Sequence, residues 1–205
     1  MRKRMILGVL LALAGMLSVA AQDAVNVIRK HYAEAQQKVA EYDKAEKGEG
    51  DVFPQYYEVN IVQNLPGTGP HHKRVRMYYY EYDNEDWQPD EPMLTRSLQF
   101  VTVKYNYAAR EFYEEYLYDE KGQIEFVYYR DADIDDVGGE CRLYYKNGKL
   151  FRALVSIFNP ETETYEQKYS GATMPEKYEG LHEGRLYNIK KYKTLFDELD
   201  IDTFH

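Results

Sequence analysis

The sharpest local cluster of chemistry in the chain runs from Asp131 to Glu140, where Asp131, Asp133, Asp135 and Asp136 precede Gly138-Gly139-Glu140. Carboxylates on alternate residues of a turning loop can converge on Ca²⁺, which takes six to eight oxygen ligands. An EF-hand loop begins in this way. The departures are that Asp136 holds the position that needs glycine, and Arg142 stands where the closing bidentate Glu belongs. The flanking segments also read as strands. Asp131, Asp133 and Asp135 are therefore a candidate calcium site set against a plainer reading, an acidic and solvated hairpin loop. No other cofactor is indicated.

The other residue types capable of chemistry are dispersed. His71 and His72 sit in a Pro/Gly-rich loop, and neighbours on an extended chain point apart, so two such imidazoles rarely share one metal. His31, His182 and His205 are scattered, and no His-x-x-x-His or Cys-x-x-Cys spacing occurs. No serine lies in a Gly-x-Ser-x-Gly elbow. Cys141 alternates with Arg142 on the side of Leu143 and Tyr145, which reads as a buried, inert thiol. With 35 acidic residues, some carboxylate pair must fall at a hydrolase-like separation by chance.

Aromatic residues are the compositional anomaly. There are 22 tyrosines beside eight phenylalanines and a single tryptophan, Trp87, placed in the acidic stretch Asp83-Asn84-Glu85-Asp86-Trp87-Gln88. A loop indole among carboxylates and amides suits sugar recognition, or else folds back to anchor its loop. Tyrosine favours strands and gives a rigid amphipathic contact surface. Candidate ligand-binding residues are Trp87, Tyr78, Tyr80, Tyr82, His71 and His72. The net charge of −9 repels phosphate backbones and anionic lipid, which excludes nucleic acid as a natural partner.

These residues need elements to position them. Val25, Ile28, Tyr32, Ala35, Val39 and Tyr42 recur every three or four residues, predicting one amphipathic helix from Asp23, as its cap, to about Lys47. Period-two alternation then predicts strands near 55–63, 73–82, 95–107, 110–118, 123–130, 140–146 and 149–158, with a weaker one at 163–169. Asn147-Gly148 is the strongest hairpin signal. Thr173-Met174-Pro175-Glu176 suits a single helical turn. Helical spacing returns at Leu186, Ile189, Tyr192, Phe196 and Leu199. The expected fold is α+β: an antiparallel meander of about seven or eight strands, as a curved sheet or partly open barrel, carrying an N-terminal and a C-terminal helix. Two such helices need only one covered sheet face, which leaves a tyrosine-studded open face.

Two hairpins share a pattern. Leu117-Tyr118-x-x-x-Gly122-x-Ile124 is matched by Leu143-Tyr144-x-x-x-Gly148-x-Leu150. This resembles the hairpin repeats of bacterial MORN-like and tyrosine–aspartate repeat proteins. The chain is also similar to exported β-rich bacterial proteins. Both resemblances imply a scaffold rather than an activity.

The N-terminus reads as a secretory leader. Arg2, Lys3 and Arg4 precede an apolar run from Met5 to Leu17 and the small residues Ser18-Val19-Ala20-Ala21. That run is too short to span a bilayer, which takes about 20 residues. No cysteine near the cut offers a lipid anchor. The expected organisation is a signal peptide over 1–21 and one domain over 22–205, exported to the periplasm or the extracellular space. The expected function is non-catalytic binding of a glycan or protein. The alternatives are a carrier of a lipid or other apolar ligand in a curved-sheet hollow, and a carboxylate-dependent hydrolase.

Overall fold

A computed structural model of the chain describes the backbone of residues 2–83, 94–132 and 134–202, and the side chains of these from residue 21 to 199. Helix α1 spans Arg2–Glu46. Eight strands follow: β1 Tyr56–Leu65, β2 Gly69–Asp83, β3 Leu94–Tyr107, β4 Arg110–Tyr118, β5 Ile124–Asp131, β6 Gly139–Lys146, β7 Lys149–Asn159 and β8 Thr164–Gly171. A 3-10 turn at Glu176–Tyr178 leads into α2, Glu179–Asp202. The strands form one open antiparallel sheet in sequence order. The expected α+β meander with a helix at each end is therefore present.

The alternating sequence places every strand within a few residues of its expected position. The Asn147-Gly148 turn has φ of 52° and 71°, the paired positive values that a two-residue hairpin of matching twist requires. Helix α1 ends where expected, with Gly48 at φ 77° and its amide donating to the Ala45 carbonyl. Its start differs. Asp23 lies inside a continuous helix rather than capping one, because the preceding Leu- and Ala-rich residues are themselves strong helix formers. The loop expected around His71 and His72 shrinks to a tight turn at residues 66–68, and both histidines are part of β2.

The largest correction concerns the faces of the sheet. The helices pack on opposite faces. Val25, Ile28, Ala35 and Tyr42 of α1 lie against Tyr78, Phe100, Leu117, Phe126, Tyr144 and Leu154. Tyr192 and Phe196 of α2 lie against the other parity, including Met77, Val101, Tyr116, Val127 and Leu143. No single wet, tyrosine-lined face remains, because each face carries a helix. In α2, Ile189, Tyr192, Phe196 and Leu199 face the core as expected, whereas Leu186 is exposed and its neighbour Arg185 is buried in its place.

Geometry leaves part of the α1 face open. Strands β2 and β3 have 15 and 14 residues, so each runs roughly 45–50 Å, whereas a helix is only about 10–12 Å wide. Because α1 crosses the strands, it divides its face into two flanking clefts.

Candidate functional site

The first cleft, about 370 Å³, lies between His31 and Glu34 of α1 and the sheet residues Tyr80, Ser97, Gln99 and Glu125, with the β4–β5 turn at its end. Tyr80 and Tyr82 are 39 % and 44 % exposed, and their rings lie 6.2 Å apart. The Lys38 ammonium rests 4.3 Å from the Tyr80 ring and donates to the Tyr79 carbonyl at 3.1 Å. Burial lowers the Lys38 pKa and raises that of the Tyr80 phenol. The Gln99 amide nitrogen donates to the Tyr80 hydroxyl. Its carbonyl oxygen, in a side chain only 8 % exposed, has no hydrogen-bond partner among the described residues. Such an atom costs roughly 1–3 kcal/mol while it stays unpaired.

Two of the four carboxylates lining this cleft, Asp119 and Glu125, are engaged by the fold; Glu34 and Glu120 are the others. Asp119 accepts from the Lys121 and Gln123 amides at 2.9 and 2.7 Å, closing the hairpin as an Asx turn. Glu125 meets His31 Nδ1 at 3.0 Å. The cleft thus presents aromatic faces, amide and hydroxyl groups, and acidic walls.

The second cleft, about 420 Å³, opens on the other flank, over β1 to β5. Its polar side chains are His72, Arg74, Lys104, Asn106, Glu111, Tyr113 and Arg130. Their alternates Lys73 and Tyr105 turn to the α2 side, where the Lys73 ammonium lies over the rings of Tyr105 and Tyr192.

The residues singled out in the sequence scatter across this framework. Tyr80 lines the first cleft and Tyr82 follows it on β2, whereas Tyr78 is buried beneath α1 at 1 % exposure. His72 lines the second cleft. His71 is buried, with Nε2 2.8 Å from the Thr68 hydroxyl and its ring edge-on to Tyr107. Trp87 lies outside the described residues, as does Asp133. Asp131 faces Arg185 at 3.8 Å, and Asp135 is bound by Lys177 and by the Tyr178 hydroxyl. These two carboxylates are thus matched by the chain's own cations, which also hold Asp135 below the usual carboxylate range. Among the described residues, no three His, Cys, Asp or Glu side chains converge as a metal cage. Cys141 is fully buried, and burial pushes its thiol up to about 11.

Sequence reasoning missed Gln99 and the basic row of the second cleft, because only the strand register brings these residues to their neighbours. Comparison with known proteins finds no matching family, no similar curated protein and no similar solved structure. Among the described residues, no helix is long and apolar enough to cross a membrane.

Proposed function

We propose that this chain is an exported, non-catalytic binding protein whose ligand is an uncharged glycan, held in the cleft beside Tyr80. Export is supported by the basic, apolar and small-residue layout of residues 1–21. The observation that carries the ligand class is Gln99. Its carbonyl has no donor among the described residues and lies beneath the floor of the cleft, beside two exposed tyrosine rings, where a sugar hydroxyl that displaced the local packing would pair with it. Aromatic faces receive the apolar C–H surface of a sugar ring, and acidic walls disfavour an anion. Asp119 and Glu125 serve the fold, one in a turn and one against His31, which supports binding as the role of their setting. A glycan array probed with the purified protein tests the reading. Retention of neutral glycans, lost in Tyr80→Ala and in Gln99→Leu, is the expected result. No retained glycan, or retention indifferent to both substitutions, would remove it.

A further inference from the structure

Arg74 on β2 and Lys104 on β3 are direct cross-strand partners, and the same row continues through Tyr113 on β4 to Arg130 on β5. Like charges placed opposite one another on a sheet destabilise it. Among the described residues none of the three cations takes part in an ion pair, although Arg76, Arg142 and Arg185 all do. A chain with a surplus of carboxylates thus holds three cations outside any ion pair on one side of α1, with Lys104 over the Tyr113 ring and Arg74 in the field of Glu58.

The hollows beside them connect. One, about 190 Å³, runs from α1 to Arg74, Lys104 and Tyr113; these three also line the 420 Å³ cleft. That cleft shares Arg130 with a further hollow of about 280 Å³, which reaches Phe158 and Tyr165. The trough crosses from β2 to β8, roughly 30 Å at the usual spacing of strands. It ends on an aromatic pair with centroids 5.4 Å apart, of which Tyr165 is 40 % exposed. Carboxylates line these hollows too: Asp43 of α1, which pairs with Arg76, and Asp131, which faces Arg185. Glu140 is taken by Arg142 and by the Tyr128 hydroxyl, whereas Glu111 stands exposed in the lining.

We propose that this trough binds an extended acidic oligosaccharide, its carboxylates on Arg74, Lys104 and Arg130 and a sugar ring on Tyr165. Guanidinium groups receive carboxylates through paired, charge-assisted hydrogen bonds. The trough is too long for a single small anion, and its terminal rings offer a flat apolar surface that a sugar ring can use. This site lies across α1 from the cleft of Tyr80 and does not depend on the reading of that cleft.

The test is calorimetric titration of the full chain with a galacturonate hexasaccharide and with its methyl ester, which keeps the sugar and removes the charge. The acid form binds, more weakly as salt rises, and the ester does not. Arg74→Glu combined with Lys104→Glu weakens binding roughly tenfold or more, the scale of one lost charge-assisted contact. Tyr165→Ala, remote from that pair, weakens it as well, and circular dichroism establishes that each variant is folded. Tyr80→Ala leaves acid binding intact, which separates this site from the neutral-glycan cleft. Equal affinity for acid and ester, binding to neither, or equal affinity for poly-glutamate of matching charge overturns the proposal; the last would make the trough a site for acidic peptide.

Discussion

Glu114 and Glu115 are successive residues of the central strand β4, and each is the buried polar anchor of a different helix. They are 1 % and 2 % exposed, and alternation along the strand sends them to opposite faces. Glu114 accepts from the hydroxyls of Tyr116 at 2.5 Å and Tyr105 at 3.1 Å, and from Asn188 of α2 at 3.2 Å. Arg185 of α2 completes its surroundings at 3.3 Å. Glu115 accepts from the Tyr32 hydroxyl and the Gln36 amide of α1, and from the Tyr113 hydroxyl, each at 2.5 Å. One dipeptide thereby sets the position of both helices on the sheet.

Because Glu115 gathers three donors, its loss strands all of them. Glu115→Ala should lower unfolding free energy by about 2–4 kcal/mol, the range for a buried charge-assisted network losing its acceptor. Urea denaturation measures this. Limited proteolysis should show cleavage within 22–46 before the strands, since α1 loses its only buried carboxylate anchor among the described residues. Simultaneous digestion of sheet and helix would show that Glu115 does not act through α1.

Arg185 and Glu114 form a pair buried on both sides, with Arg185 also 4.3 Å over the Tyr129 ring. Removing one partner leaves a buried charge uncompensated, so Arg185→Leu should cost about 3–5 kcal/mol. The double replacement Arg185→Leu, Glu114→Leu removes both charges while stranding the donors of Tyr105, Tyr116 and Asn188, so it should cost less than the sum of the two single losses. Additive losses in this cycle would mean that the two side chains are not coupled.

Alkaline pH should unfold the protein. Burial, then hydrogen bonding to Glu46, pushes the Tyr56 phenol up to about 12, and burial with neighbouring Glu115 raises Tyr32 and Tyr113 far above their ordinary 10.0. Cys141 rises from 9.0 to about 11. A group whose folded pKa is raised holds its proton longer in the native state, so its contribution is complete below the unfolded value and lost above it. Stability should therefore be insensitive to these groups below about pH 9 and fall as pH climbs through 10 toward 12. Thermal midpoints across that range, beside tyrosinate absorbance, check the sign. Most phenols ionising near 10 in a fully folded chain would contradict it.

The sequence made the strands readable because their polar and apolar residues alternate and their turns carry Gly, Asn or Asp. It concealed the placement of the helices. Val101, Val103 and Tyr105 mark one face, yet Phe100, Leu117, Phe126 and Tyr144 show that both parities of the central strands carry large buried side chains. Near-continuous apolar runs are the sign of a sheet covered twice, and such a run stands at residues 98–103. The two hairpins of shared pattern differ in the face they serve. Leu117 packs toward α1 and Leu143 toward α2, so the two copies share turn chemistry while facing opposite sides. Arg74, Lys104 and Arg130 could not be grouped without register, since each lies on a different strand. In α2, the leucine pattern could not announce that Glu114 would draw Arg185 inward.

Gln99 offers a way to separate stability from binding. Its amide nitrogen satisfies Tyr80, while its carbonyl stays unpaired among the described residues, in a nearly dry position. A buried acceptor without a donor costs the folded state about 1–3 kcal/mol, so an apolar replacement of similar volume removes that cost. Gln99→Leu gives up one hydrogen bond to a half-exposed tyrosine, worth only about 1 kcal/mol. The substitution should therefore leave the unfolding midpoint unchanged or raise it. If the carbonyl waits for a sugar hydroxyl, the same variant must lose neutral glycan retention. A residue that only holds the core together would behave in the opposite manner, with stability falling and retention unaffected. Chemical denaturation and the glycan array, run on the same preparation of Gln99→Leu, distinguish the two roles.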